Sequence, residues 1–135
     1  MASGAPDWTT TVNVTLVLPP EEGETGYVYT AYASGSAAAS GTDTEDVKDV
    51  ADGETFRLVH VYVICDDKYK TGLLELINED TAETLATIPV RGSASVPLYE
   101  LPIEGETTLQ AKFTNDNGDA TVNWYATIVY VLVTE

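Results

Sequence analysis

Cations are scarce in this chain: six Lys and Arg stand against 22 Asp and Glu in 135 residues, a formal net charge of -16. Nucleic-acid binders neutralise phosphates with Lys and Arg, and no basic patch is present to do so. An anionic membrane surface would repel the chain for the same reason. Cysteine is nearly absent too. Cys65 stands alone, so an intrachain disulfide is excluded and the chain does not read as a disulfide-stapled secreted domain. His60 is the only histidine, so any Ser-His-Asp or Cys-His site would have to use it. No apolar run approaches the ~18 residues of a membrane-spanning helix. Met1 to Trp8 lacks both the basic and the apolar region of a signal peptide, so the expectation is synthesis in a cytoplasm without one.

What is present is a β-pattern. Hydrophobic residues make up 44% of the chain and fall into short alternating runs, which an acidic disordered tail would lack. A length of 135 residues suits one domain with a real core. Nineteen threonines suit strands, while four lysines beside abundant acid resemble the surface chemistry of proteins from saline cytoplasm. Near-molar salt shortens the Debye length to ~3 Å and screens the self-repulsion of such a surface.

Thr11 to Leu18 alternates, with Val12, Val14, Leu16 and Leu18 on one face, and Pro19-Pro20 stops it. After the acidic turn Glu21 to Glu24, Gly26 to Ala33 reads as a second strand. Ser34 to Asp46, rich in Ala, Ser, Gly and acid, reads as a long exposed loop, and Thr44 to Val50 is the only short helical candidate. Phe56 to Cys65 is the strongest strand, with Val59, Val61 and Val63 expected opposite Leu58, His60, Tyr62 and Ile64. Gly72 to Asn78 and Glu83 to Val90 read as a hairpin around Glu79-Asp80. Ala94 to Tyr99 and Thr107 to Thr114 follow, and Asn117-Gly118 is the dipeptide of a tight hairpin into the last strand, Ala120 to Val133. On that strand Val122, Trp124, Ala126, Ile128, Tyr130 and Leu132 share a face. The expected fold is all-β, an antiparallel sandwich of about eight strands. Residues 1–10 are expected to be a flexible N-terminal segment and 11–135 a single β-sandwich domain.

Few residues offer chemistry. His60 lies mid-strand between Val59 and Val61, where a structural role is expected. Cys65 is five residues on, an odd separation that points the two side chains to opposite faces. There is no G-x-S-x-G elbow, no phosphate-cradling glycine loop and no Cys/His metal spacing, so neither metal nor cofactor is expected. The carboxylates gather in turns: Glu21, Glu22 and Glu24; Asp43, Glu45 and Asp46; Asp66 and Asp67; Asp116 and Asp119. Exposed turns do not raise a carboxyl pKa as glycosidase chemistry requires. Asn115 to Asp119 lacks the acid that an EF-hand would place at Phe113. Asn13-Val14-Thr15 is a glycosylation sequon lying within a strand pattern.

Two stretches carry a family likeness. Ala51 to Leu58 is a turn feeding a long strand, and Leu101 to Gly118 runs turn, strand and Asn-Asp-Asn-Gly turn into a final strand. Over about half its length the chain resembles the small jelly-roll or β-sandwich structural proteins of tailed-virus particles, such as head decoration and turret proteins. With the salt-adapted surface, the resemblance implies a virion protein of a haloarchaeal virus that acts by adhesion without an active site. It implies a homo-oligomer, trimer to hexamer, docked on a major capsid or other virion protein. Strands apolar on both faces then supply the interface candidates Val59, Val61, Val63, Tyr125, Val129 and Val131. A carbohydrate- or receptor-binding sandwich using exposed tyrosines is the main alternative, and an enzyme with paired carboxylates is the second.

Overall fold

The computed structural model describes residues 25–134. The N-terminal segment 1–10, the strand expected over Thr11 to Leu18 and the Asn13 sequon lie outside them. Eight strands follow one another: β1 (Thr25–Ala37), β2 (Thr42–Val50), β3 (Glu54–Cys65), β4 (Thr71–Asn78), β5 (Glu83–Arg91), β6 (Ser93–Glu104), β7 (Thr107–Asn115) and β8 (Val122–Thr134). They pair antiparallel in the order β1-β8-β3-β6-β5-β4-β7-β2. The ladder between β5 and β6 is a single pair, Arg91 with Ser93, so the order divides there into two four-stranded sheets. Gly92, at φ 73°, makes the corner between them. Two four-stranded antiparallel sheets with strands alternating between them form a jelly-roll sandwich.

The last two strands show why the sequence folds this way. Leu109, Ala111 and Phe113 of β7 are fully buried, as are Val122, Trp124 and Ile128 of β8. A period of two places these residues on facing inner surfaces of the two sheets. Two aromatic stacks brace the core. Phe56 lies against Tyr130 at 4.3 Å between centroids, with Tyr29 beyond at 5.7 Å, and Phe113 lies against Trp124 at 5.8 Å.

Four expectations are corrected. Ser34 to Asp46 is not a loop: β1 continues to Ala37 and β2 starts at Thr42. Thr44 to Val50 is strand rather than helix. Asn117-Gly118 closes no hairpin, because β7 pairs with β2 and β4 whereas β8 pairs with β1 and β3. The segment instead carries the chain from one sheet to the other. Finally, β3 carries a β-bulge against β8, with one extra residue between the pairs Leu58–Tyr130 and His60–Val129, and its register with β6 shifts at the same place. The extra residue, Val59, turns Leu58 to the same side as Val61 and Val63, and all three are buried.

Candidate docking face

Residues directly opposite one another across antiparallel ladders share a face. On the side of the β1-β8-β3-β6 sheet away from the core, the registers place four consecutive rows before the row Gly26, Val133, Thr55 and Glu104, which brings in a carboxylate at one end. The four are Val28, Val131, Arg57 and Pro102; Thr30, Val129, His60 and Pro97; Tyr32, Thr127, Tyr62 and Ser95; and Ser34, Tyr125, Ile64 and Ser93. None of these positions is Asp or Glu, although the chain holds 22 of them. Large apolar groups stand open to solvent there, with Tyr32 69%, Ile64 54%, Tyr125 53%, Val28 49% and Tyr62 49% exposed.

Of the interface candidates, Tyr125, Val129 and Val131 lie on this face and Val59 sits in the bulge beside it. Val61 and Val63 point into the core at 0% and 2% exposure, because the bulge reverses the expected alternation. The outward positions of that strand are Tyr62 and Ile64. Tyr32, Tyr62, Ile64 and Val28 were not among the candidates, since the face cannot be assembled without knowing that β1, β8 and β3 are neighbours. His60 Nε2 shares a hydrogen bond with Ser95 Oγ at 2.8 Å, and its ring lies 4.4 Å from that of Tyr62 on this exposed face.

Two other polar groupings shape the molecule. At the corner where β1 meets β2, Trp124 Nε1 and the Ser36 amide both donate to Asp43 Oδ2 at 3.0 Å. Gly35 makes room for this carboxylate, as a Cβ there would lie 1.7 Å from Asp43 Oδ2. Glu45 lies beside it, and its hydrogen bond to Asp43, reinforced by partial desolvation and by the charges of Asp43 and Asp46, holds its carboxyl above the ordinary value of 4.5. An open acidic depression of about 410 Å³, lined by Asp49, Glu79, Asp80, Glu106 and Thr107, lies away from that pair. Among the described residues, no group of three or more His, Cys, Asp or Glu is placed to hold a metal ion. Cys65 is buried, and burial, with the charge of Asp66 second, pushes its thiol upward.

No family model and no curated protein matches the chain. Solved structures do. The chain is similar to one from the atomic structure of Sulfolobus Turreted Icosahedral Virus, with a TM-score of 0.58, 18% identity, and coverage of 80% of this chain and 30% of that one. It is similar to one described for the triple jelly roll fold and turret assembly in an archaeal virus, with a TM-score of 0.55, 18% identity and coverage of 82% and 30%. A chain of the cyanophage Pam1 capsid asymmetric unit matches at a TM-score of 0.49 and 17% identity, over 88% of this chain and 94% of that one. The chain thus spans about a third of the length of the first two, and with them it shares the jelly-roll fold.

Proposed function

We propose that this jelly roll is a non-enzymatic structural module of a virus particle, a decoration or turret unit, whose copies associate through the outer face of the β1-β8-β3-β6 sheet. The observation that carries the reading is an exposed face rich in tyrosine and aliphatic side chains, with four consecutive rows that hold no carboxylate, on a chain of net charge -16. Copies of such a chain repel one another everywhere that acids face acids, and this face is where that repulsion is least. Its four rows over four strands cover roughly 500 Å² at ~4.8 Å between strands and ~6.8 Å between rows. A patch of that size sits in the ~300–600 Å² range that marks functional surface on a monomer, and two of them reach the ~1,000 Å² of a specific interface. The fold shared with chains of archaeal virus particles supports the same reading.

The full chain should form a closed oligomer, trimer to hexamer, and attach to particles carrying the major capsid protein. Light scattering after size exclusion on wild type and on the Tyr62→Glu/Tyr125→Glu double variant tests this. We expect a discrete oligomer for wild type and a monomer with unchanged far-ultraviolet circular dichroism for the variant. A wild type that is monomeric in both dilute and molar salt would overturn self-association. Glycan binding lost in the double variant would assign the tyrosines to sugar stacking instead.

A further inference from the structure

We infer that Asn117 is a latent deamidation site, held closed by the β7–β8 connection and released only when that corner opens. Of five asparagines, Asn117 alone precedes a glycine. The reaction is attack by the Gly118 backbone nitrogen on Cγ of Asn117. That nitrogen gives up its proton, ammonia leaves, and a five-membered succinimide forms. Water then opens the ring to aspartate or isoaspartate. Glycine leaves the attacking nitrogen least hindered, because it has no Cβ. The fold itself does not call for glycine at this position. The φ of Gly118 lies outside the left-handed region, and an added Cβ would meet Ser40 Oγ at an ordinary 3.8 Å.

Four hydrogen bonds hold Asn117 away from that reaction. Its Nδ2 donates to the Thr71 carbonyl at 2.9 Å and to Asn115 Oδ1 at 2.8 Å. Its backbone amide donates to the same Oδ1 at 2.8 Å, and its carbonyl accepts from the Ser40 amide at 3.0 Å. Swinging Cγ onto the Gly118 nitrogen gives up both side-chain bonds and turns a backbone that is fixed on either side. Ring closure therefore waits for local opening. The product does not fit back. A carboxylate at 117 sets acceptor against acceptor at the Thr71 carbonyl and Asn115 Oδ1. Asn115 cannot turn a donor toward it without leaving the carbonyls of Ala37, Ala38 and Ala120. Isoaspartate also adds one carbon to the main chain, in the segment that crosses between the sheets. An opening that lasts long enough for this chemistry thus becomes irreversible.

The test is to age the full chain in mildly alkaline buffer, native or in guanidinium chloride, and follow Asn117 by peptide mass mapping with isoaspartate detection. We expect deamidation at Asn117 to run at least about tenfold faster in denaturant than in the native state. Equal rates, or faster loss in the native state, would overturn the proposal. Gly118→Ala should melt like wild type and slow the reaction in denaturant; a rate it leaves unchanged would overturn the succinimide route. Chains aged in denaturant are then separated by their added negative charge and returned to native buffer. Unmodified copies should regain the original melting temperature, and modified copies should melt lower or fail to refold. Asn117→Asp, made directly, should share that loss, which separates the change at 117 from other damage acquired on ageing. An Asn117→Asp variant that melts with wild type would show that the corner accepts the product, and the inference would fall.

Discussion

Asn115, 1% exposed, ties two connections together. Its Nδ2 donates to the carbonyls of Ala37, Ala38 and Ala120 at 3.1, 3.0 and 2.7 Å, and its Oδ1 accepts from the Asn117 amide and Asn117 Nδ2, both at 2.8 Å. Asn117 Nδ2 also donates to the Thr71 carbonyl at 2.9 Å. The β1–β2 and β7–β8 connections therefore meet at the Asn115 amide, and Asn117 links them to the start of β4. Asn115→Ala strands buried carbonyls and should cost about 2–4 kcal/mol in urea denaturation; a loss below ~0.5 kcal/mol would mean water satisfies them. Glu45 gives a pH-dependent test. Its folded carboxyl titrates above 4.5, so the stability it contributes is full below that value and fades as pH rises through the folded pKa. At neutral pH the ionised Asp43–Glu45 pair is repulsive. Glu45→Gln keeps a donor toward Asp43 and should raise the Tm at pH 7 by about 1–3 °C, a modest gain because the pair is solvent-screened. The gain should shrink as pH falls and wild type takes up its proton. Neutral donors hold other carboxylates as well: Gln110 donates to Asp46 at 2.9 Å, Thr108 to Asp49 at 2.8 Å and Asn123 to Asp66 at 3.0 Å. With so few cations in the chain, amides and hydroxyls settle the acids into the fold.

Among elements, β3 shows how one residue sets the faces of a strand. Deleting Val59 would remove the bulge and turn Phe56 and Leu58 outward relative to Val61 and Val63. Two core side chains at ~2–3 kcal/mol each approach the whole stability of a domain this size, so the deletion should abolish a cooperative thermal transition. Val59→Ala, which keeps the residue count, should melt cooperatively. The bulge also explains what the sequence could not show. Alternation along β7 and β8 and around the Glu79-Asp80 hairpin was legible because each strand has one unbroken apolar face. On β3 both faces read as apolar, and nothing in Leu58-Val59-His60 announces an extra residue. The strand β2 was hidden for the opposite reason: only Val47 and Val50 are apolar in it, and an inward position is filled by Asp43, paired to Trp124 across the sandwich. Asn117-Gly118 has the composition of a tight turn, but the partners of its flanking strands lie far away in sequence. On the outer face of the β1-β8-β3-β6 sheet, the pattern placed Tyr125, Val129 and Val131 together on β8, while the β1 and β3 contributions depend on strand order.

For the whole molecule, charge sets the conditions under which the proposed association can be tested. If screening of the net -16 governs stability, the Tm should rise by several degrees with NaCl, mostly below ~1 M, where the Debye length has already fallen to ~3 Å. A rise continuing steadily to ~3 M would instead indicate salt exclusion from the surface. Self-association should follow the same curve, since screened copies approach more easily. The pairing of β1 with β8 has another consequence. Thr25 lies opposite Thr134, so the described chain comes in and goes out at one spot on the rim. A chain of residues 25–134 closed by a short linker from Thr134 to Thr25 should therefore tolerate circular permutation, as a cooperative melt of the permuted variant would show.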